Sequence, residues 1–530
     1  MRSKIKYVAL VAAICAVAIS TAQPRLAVNI VVSGMRQGDI ARYEGNFSKN
    51  GILRLRGEGV EFTECYANYA PTTPEAGLAT LATGTLPATH GIFSSLILDR
   101  TTNKMVGLED KTNYDPSGLQ RNGVSERYTT QNFVAQTLSE SAQQSGNGSN
   151  VITIAHTPLS AMIMAGRKGE CYWIDRGGKW STASCYIEAL PSWVVRSNSD
   201  NLNRIFATDS WYGRYTRDYY RNNRSTDIAI YEKSGSKRVR APRKNSDKWV
   251  ENILRMPSGN IAIFEFAKRA VNTLLPLRMG DGCKVLNICL DVPRMVAEKY
   301  GSDSIEYEDM LYSLDAAIAD FLSFLYAQTS SNKDIIVSLT SDGGVSPTKI
   351  DNSDATRFNA RQFEVIMNAF LGARYGQDNW IVGYTDGSLY INHEVVYKHK
   401  KSLMEVQNEV ASFALQYRGV ANAITATALR SAQFSRGAVA LVQNGYNPRR
   451  SGDVIIVLDA ERIELDSQRV AMSGSAYNYD RHIPFIVCGG GIVPRQETKR
   501  ISSDQIAPSL AALWGVESPQ YSEAEVITLK

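Results

Sequence analysis

Residues 26–33 read LAVNIVVS, a short run of apolar and β-branched residues that ends in a hydroxyl side chain. A run of this kind is typical of a strand that is buried on both faces of a parallel sheet. Similar runs occur at residues 151–154, 285–290, 335–339, 454–458 and 484–488. Helical patterns lie between them, and in residues 307–326 the apolar positions repeat at helical spacing. The alternation predicts an α/β fold with a doubly wound, mostly parallel sheet and helices on both faces.

The first 22 residues have the pattern of a secretory signal peptide. A basic start is followed by an apolar run from Tyr7 to Ile19 and by small residues up to Ala22. The run is too short for a membrane span, which needs close to ~20 apolar residues. We therefore expect cleavage after Ala22, export to the periplasm, no stable membrane anchor, and one large domain over residues 23–530.

Composition narrows the classes of partner. The chain is 44% hydrophobic and 21% charged, as in ordinary globular proteins. The formal net charge is +5, of which the leader contributes three through Arg2, Lys4 and Lys6. The mature chain would keep only about +2, which does not indicate a nucleic-acid partner.

One segment departs from the strand and helix alternation. Residues 211–248 are rich in arginine, lysine and tyrosine, so we expect an inserted, mostly exposed lobe at about 205–250. Its basic and aromatic residues suit a polyanion or a glycan, although a merely solvated charged surface has the same composition. Among the cysteines, Cys171 and Cys185 flank a short loop and are the best candidates for a disulfide. The cysteines in segments with a strand pattern are expected to be buried thiols: Cys65, Cys289 and Cys488.

Four motifs carry a family resemblance. They are VVSGMRQGDI at 31–40, NYAPTTPEAGLATLATGTLPATHGI at 68–92, LTSDGG at 339–344 and GSAYNYDRHIPFIVCGGG at 474–491. Their order resembles the alkaline phosphatase superfamily, most of all the PafA-type periplasmic phosphatases of Bacteroidota, which are related to nucleotide pyrophosphatases/phosphodiesterases. The resemblance implies two zinc ions and a threonine or serine nucleophile. Such metals lower the pKa of the nucleophile and clamp the oxygens of the displacement.

The functional positions implied by the resemblance mostly hold other residue types. Ser33 stands where the resemblance implies an aspartate after the first strand, and Pro74 stands where it implies the nucleophile. Gly343 stands where it implies a histidine after Asp342. The aspartate and histidine of the second zinc become Arg294 and Glu298, or Asp291 and Met295 in another register. The remaining histidine and the substrate contacts correspond to Ser473, Ser95, Thr157 and Leu159.

Two hypotheses follow. The joint change of nucleophile, metal ligands and substrate contacts favours an exported pseudoenzyme that uses no cofactor and binds an unknown protein, glycan or phosphorylated ligand. The alternative is an active phosphomonoesterase or phosphodiesterase with Thr73 as nucleophile and a metal site rebuilt from four carboxylates: Asp39, Asp291, Glu298 and Asp342.

The residue types around Thr73 distinguish these hypotheses locally. Thr73 precedes a proline and a glutamate, which is typical of a helix N-cap, so we expect it to cap a helix that begins at Pro74. We also expect Ser33, Pro74 and Gly343 to meet at the carboxyl ends of the strands, where chemistry gathers in such sheets.

Overall fold

The structure is a computed structural model, and it describes residues 24–110, 120–121, 123–145, 150–200, 210–222, 239–240, 255–275, 282–329, 332–349, 357–465 and 469–530. The predicted signal peptide lies outside the described residues.

The strands within these ranges are β1 Leu26–Val32, β2 Gly59–Tyr66, β3 Leu96–Asp99, β4 Lys104–Gly107, β5 Gln120–Arg121, β6 Val124–Ser125, β7 Val151–Ala155, β8 Glu170–Ile174, β9 Trp180–Ala183, β10 Ser210–Trp211, β11 Val239–Arg240, β12 Lys284–Leu290, β13 Ile335–Thr340, β14 Arg357–Phe358, β15 Ile381–Thr385, β16 Ser388–Ile391, β17 Val420–Thr425, β18 Val454–Leu458, β19 Ile463–Glu464, β20 His482–Gly489, β21 Arg495–Glu497 and β22 Ile501–Ser502.

The α-helices in the same ranges are α1 Gln37–Tyr43, α2 Ile52–Glu58, α3 Pro74–Thr83, α4 Pro87–His90, α5 Leu138–Gln144, α6 Pro158–Ala165, α7 Ser192–Ser199, α8 Pro257–Leu274, α9 Val292–Tyr300, α10 Ile305–Ala327, α11 Ala360–Tyr375, α12 His393–Lys398, α13 Leu403–Ala414, α14 Ala426–Ser431, α15 Gly437–Gly445, α16 Asn478–Arg481 and α17 Ile506–Trp514.

A large central sheet organises the molecule. Its order is β21-β2-β20-β13-β1-β12-β7-β8-β9-β6-β5, with β22 beside β2. The five strands from β13 to β8 run parallel to one another, while β20 is antiparallel to both β13 and β2, and β9 is antiparallel to β8. The predicted mostly parallel sheet is therefore confirmed.

Strand β1 shows why the sheet is covered on both faces. All seven of its residues are buried. Leu26, Val28, Ile30 and Val32 belong to one hydrophobic core, whereas Ala27 and Val31 belong to a second core. Because successive side chains of a strand point to opposite faces, the two cores lie on opposite sides of the sheet. The fold is doubly wound, as the sequence predicts.

Long helices complete the two cores. Helix α10 packs beside α8 and contains the predicted segment 307–326, which confirms that prediction. Its length and hydropathy would also suit a membrane span, but half of its most apolar window is buried inside the protein. On the other face, α3, α6 and α17 supply apolar side chains to the second core.

Two predicted strands have a different setting from the one expected. Residues 454–458 form β18, which belongs to a separate antiparallel sheet of order β15-β16-β18-β17 with its own hydrophobic core. Residues 484–488 lie in β20, which is antiparallel to its neighbours. A short apolar run indicates a buried strand, but it contains no signal for the partner or direction of that strand.

The described part of the predicted lobe is anchored to α10. Trp211 Nε1 and the Arg214 backbone N–H each donate a 2.6 Å hydrogen bond to Asp309, and the Tyr220 hydroxyl also donates to it. Most other side chains in 211–222 are exposed. The rest of the lobe, apart from residues 239–240, lies outside the described residues.

The cysteine predictions have mixed outcomes. The disulfide expected between Cys171 and Cys185 is not formed: both are thiols, the first buried on β8 and the second exposed after β9. Cys65, Cys289 and Cys488 are buried thiols, which confirms that expectation.

Candidate functional site

The carboxyl ends of four neighbouring parallel strands form the centre of the site. Ser33 follows β1, Asp342 lies two residues beyond β13, Asp291 follows β12 and Thr157 follows β7 by two residues. Since these ends meet at one edge of the sheet, the side chains make contacts across it. Gly34 N donates to Asp342 Oδ1 at 3.3 Å, and Thr157 Oγ1 donates to Asp291 Oδ2 at 3.1 Å.

The start of helix α3 lies against this edge. A Cβ atom on Gly77 would be only 1.7 Å from the Asp342 carbonyl oxygen, so the first turn of the helix packs directly on the loop after β13. A Cβ on Gly343 would lie 3.4 Å from the carbonyl oxygen of Thr72. The start of α3 therefore lies beside Gly343, and the residue after Ser33 contacts the aspartate before Gly343.

Thr73 is the N-cap of α3, as predicted. Its Oγ1 accepts a 3.2 Å hydrogen bond from Ala76 N and donates one of 2.8 Å to the carbonyl oxygen of Phe93. The side chain is buried. Both functions of the hydroxyl are therefore used within the protein, and its proton points at a backbone carbonyl rather than at a general base.

Arg294 joins two of the predicted positions. Its Nε donates to Ser33 Oγ at 3.1 Å, and its Nη1 donates to Glu298 Oε1 at 2.8 Å. The side chain of Arg294 is only 18% exposed and that of Glu298 13%. Burial alone would lower the pKa of Arg294, but the carboxylates around it, with Glu298 the strongest, raise that pKa above its ordinary value. A fixed positive charge therefore lies at the centre of this edge.

The two aspartates on either side of Arg294 differ in their surroundings. Asp291 accepts hydrogen bonds from the hydroxyls of Thr157 and Ser160, at 3.1 and 2.8 Å. Asp342 Oδ2 has no hydrogen-bond partner among the described residues. Burial raises the pKa of Asp342 to about 7, although the Ser33 hydroxyl and the Arg294 guanidinium act in the opposite direction. Asp342 is therefore partly protonated at neutral pH.

His156 is a packed residue beside Asp291. Its Nδ1 accepts a 3.0 Å hydrogen bond from the Asp291 backbone N–H, and burial lowers the pKa of His156. The ring is thus neutral, with its proton on Nε2.

The carboxylates of the hypothetical rebuilt metal site have separate structural partners. Asp39 forms an ion pair with Arg36 at 2.8 Å and accepts from the Tyr307 hydroxyl at 2.9 Å. Glu298 is bound to Arg294, as described above. Among the residues that the structure describes, no three His, Cys, Asp or Glu side chains form a group that could hold a metal ion.

The remaining predicted positions make local contacts. Ser473 Oγ donates to the Gly344 carbonyl oxygen at 2.7 Å, which ties the C-terminal motif to the loop after β13. The Ser95 carbonyl oxygen accepts from Leu108 N at 2.8 Å. Leu159 packs against the second hydrophobic core.

Several acidic side chains near the site were not predicted. A small cavity beside Ser473 is also lined by Asp386, Glu464 and Asp480. Burial raises the pKa of Glu464 and of Asp480 to about 7, and it has the same effect on Glu75 in the first turn of α3. Asp386 precedes a glycine in a hairpin turn, so its local sequence indicates a turn and gives no sign of a site.

Comparison with known proteins identifies relatives over almost the whole chain. The family model for type I phosphodiesterase / nucleotide pyrophosphatase matches residues 27–463. A protein of Myroides odoratus named calcium-transporting ATPase is 27% identical over 94% of this chain and 93% of its own length. Alkaline phosphatase PafA of Elizabethkingia meningoseptica is 24% identical over 96% of this chain and 94% of its length.

The comparison of structures gives the same fold. The crystal structure of wild-type alkaline phosphatase PafA superposes with a TM-score of 0.85 at 24% identity, over 95% of this chain and 98% of that chain. The central sheet and its surrounding helices are therefore those of the alkaline phosphatase fold.

Proposed function

The chain belongs to the type I phosphodiesterase / nucleotide pyrophosphatase family, and we propose that it is an exported member that binds a ligand without zinc-dependent hydrolysis. The observation that carries the proposal is the position of Arg294. Its guanidinium bridges Ser33 and Glu298 at the edge of the sheet where the family resemblance implies metal ligands.

The donors at this edge do not fit a pair of zinc ions. A catalytic zinc needs about three nitrogen, sulfur or carboxylate ligands, and a pair within about 4 Å needs roughly twice that number. With both registers counted, three of the corresponding side chains are carboxylates: Asp342, Glu298 and Asp291. Glu298 is paired with Arg294, and Asp291 accepts from the hydroxyls of Thr157 and Ser160. The others carry no ligand group of this kind: Ser33, Pro74, Gly343 and Ser473. The positive charge of Arg294 would in addition repel a metal ion.

The nucleophile is also missing from its place. Pro74 has no group that can attack phosphorus, and the neighbouring Thr73 hydroxyl is held between Ala76 N and the Phe93 carbonyl oxygen. A Thr73 nucleophile would have to give up the cap of α3 and find a base. We therefore propose a binding function for this edge, with a protein, a glycan or a phosphorylated ligand as partner.

The proposal includes export. The leader pattern of residues 1–22 supports release of a mature chain that begins at Gln23 in the periplasm. Mass spectrometry of the protein from a periplasmic extract is expected to find this N-terminus. A mature chain that retains residues 1–22 would contradict it.

The test of the hydrolytic centre uses the purified mature chain. We expect no stoichiometric zinc by elemental analysis, and only background turnover of a nitrophenyl phosphate and a nitrophenyl phosphodiester, with or without added zinc. Pro74→Thr alone should leave turnover at background, because catalytic groups that act as a unit fail as a unit.

A second variant makes the metal argument falsifiable. Ser33→Asp, Gly343→His and Ser473→His combined should increase the zinc bound by the protein, since each adds a ligand at this edge. Zinc-dependent hydrolysis by the unmodified protein, lost in Thr73→Ala, would overturn the proposal and support the enzyme hypothesis.

A further inference from the structure

An open cleft of about 940 Å³ lies between the β3–β4 hairpin and the helices and loop that flank the antiparallel sheet β15-β16-β18-β17. Four arginines line it: Arg100, Arg430, Arg449 and Arg450. We propose that this cleft binds an anionic oligosaccharide. Neither Ser33, Thr73 nor Arg294 lines it, so the proposal does not depend on whether the other site hydrolyses phosphate esters.

The arginines of the cleft are poorly compensated by acids. Arg430 and Arg449 are exposed, and neither forms an ion pair with a described residue. Arg450 donates to two backbone carbonyl oxygens, of Gly91 at 3.3 Å and of Asn132 at 2.7 Å. Burial lowers the pKa of Arg450. Among the described residues, none of these three guanidinium groups has an ion-pair partner, so their positive charge is available to an anion.

The acids that line the cleft are already engaged. Asp110 accepts two hydrogen bonds from Arg127, at 2.7 and 2.8 Å. Asp453 lies 2.8 Å from His393 Nε2 and 3.5 Å from Arg100. Asp99 accepts from the backbone and hydroxyl of the hairpin turn that follows it. Asp99 keeps its charge, but the four arginines of the lining and Arg127 together exceed the three aspartates by two charges. The net charge of the cleft therefore favours an anion.

The rest of the lining favours a sugar over a bare polyanion. Tyr397 is 64% exposed, and Leu98, Leu403 and Tyr446 lie on the same walls as the arginines. Guanidinium forks bind carboxylate, sulfate and phosphate groups through paired hydrogen bonds. An aromatic or aliphatic wall adds contact area for the carbon face of a sugar ring. An inorganic polyphosphate has no such face. The volume lies in the range of about 300–1,000 Å³ that is usual for small-ligand sites, enough for a few sugar units.

The test is calorimetric titration of the full mature chain. The probes are a heparin-derived hexasaccharide, a hexagalacturonate, neutral maltohexaose and tripolyphosphate. We expect at least one anionic hexasaccharide to bind about tenfold more tightly than maltohexaose or tripolyphosphate, because only it uses both the charges and the apolar wall. Its affinity should fall several-fold between about 50 and 200 mM salt, since the arginines are exposed.

Two variants assign binding to the cleft. Arg430→Gln with Arg449→Gln should weaken the anionic hexasaccharide about tenfold, because two charge-assisted contacts are lost. The matched control, Arg196→Gln with Lys499→Gln, removes the same charge from exposed positions elsewhere and should change affinity by less than about twofold. A similar loss in both variants would show non-specific attraction and overturn the proposal.

The variant Tyr397→Ala distinguishes a site for a saccharide from a site that binds any polyanion. It should weaken hexasaccharide binding several-fold and leave tripolyphosphate binding unchanged. The proposal is overturned if maltohexaose binds as tightly as the anionic sugars. It is also overturned if tripolyphosphate binds as tightly as they do and Tyr397→Ala has no effect.

Discussion

Arg294 supplies the positive charge that compensates the carboxylates of the site. Replacing it with methionine should therefore strongly destabilise the folded protein. Methionine has a similar length and fills the space of the side-chain stem, but it leaves Glu298 and Asp342 without their cation. Breaking a buried pair by removing one partner typically costs about 3–5 kcal/mol. The pair is partly buried, with side chains 18% and 13% exposed, so the loss should lie toward the lower end of this range.

The interaction energy of the pair can be estimated separately. Two charges about 4 Å apart interact by about 4 kcal/mol at an effective dielectric constant near 20. Hydrogen bonds to charged groups contribute about 1.5–3 kcal/mol. A double-mutant cycle with Arg294→Met and Glu298→Met should therefore give a coupling energy of about 2–4 kcal/mol.

The assay is urea unfolding followed by tryptophan fluorescence at about pH 7.5. The control cycle uses Arg54 and Glu58, an exposed pair four residues apart on a helix with an N–O distance of 2.9 Å. Its coupling should be no more than about 0.5 kcal/mol. The loss caused by Arg294→Met should also shrink at about pH 5.5, where protonation of Asp342 removes one of the uncompensated charges.

The opposite result would refute the argument. A loss below about 1 kcal/mol for Arg294→Met, together with a coupling no larger than that of Arg54 and Glu58, would mean that water rather than protein surrounds the guanidinium. This edge of the sheet would then be open enough to admit a cation, and the electrostatic objection to a metal ion would no longer hold.

Three further predictions concern stability. Burial raises the pKa of Asp342 and of Asp480 to about 7. Folded molecules therefore keep protons that the unfolded chain releases. The free energy of unfolding should fall between about pH 5.5 and 7.5, by about 2 kcal/mol for each group that titrates independently. In urea unfolding, the stability of Asp342→Asn should depend less on pH. Thr73→Ala removes a helix cap and should lower the free energy of unfolding by about 1 kcal/mol, measured by thermal unfolding. Thr73→Ser keeps a capping hydroxyl and should lose much less. Asp309→Ala removes the acceptor that anchors segment 210–222, so it should cost about 2–4 kcal/mol and accelerate trypsin cleavage in that segment; unchanged cleavage would contradict the anchoring.

Features that depend on local sequence were predicted correctly. The run LAVNIVV specifies a strand that is buried on both faces, and a threonine followed by proline and glutamate specifies a capped helix start at Thr73. The meeting of Ser33 and Gly343 follows from the same reasoning, because loops after parallel strands share one edge of the sheet. Each of these conclusions needs only a few neighbouring residues.

Other features required the tertiary structure, because they depend on residues that are distant in the chain. The run at 454–458 reads as a buried strand in either sheet, and only its pairing with β16 and β17 places it in the second one. Likewise, the contact of the Arg294 guanidinium with Ser33, 261 residues away, is visible only in the tertiary structure. The arginine cleft is assembled from residues 100, 430, 449 and 450, which carry no common motif. Local preferences thus determined the elements, whereas long-range packing determined which side chains share a site.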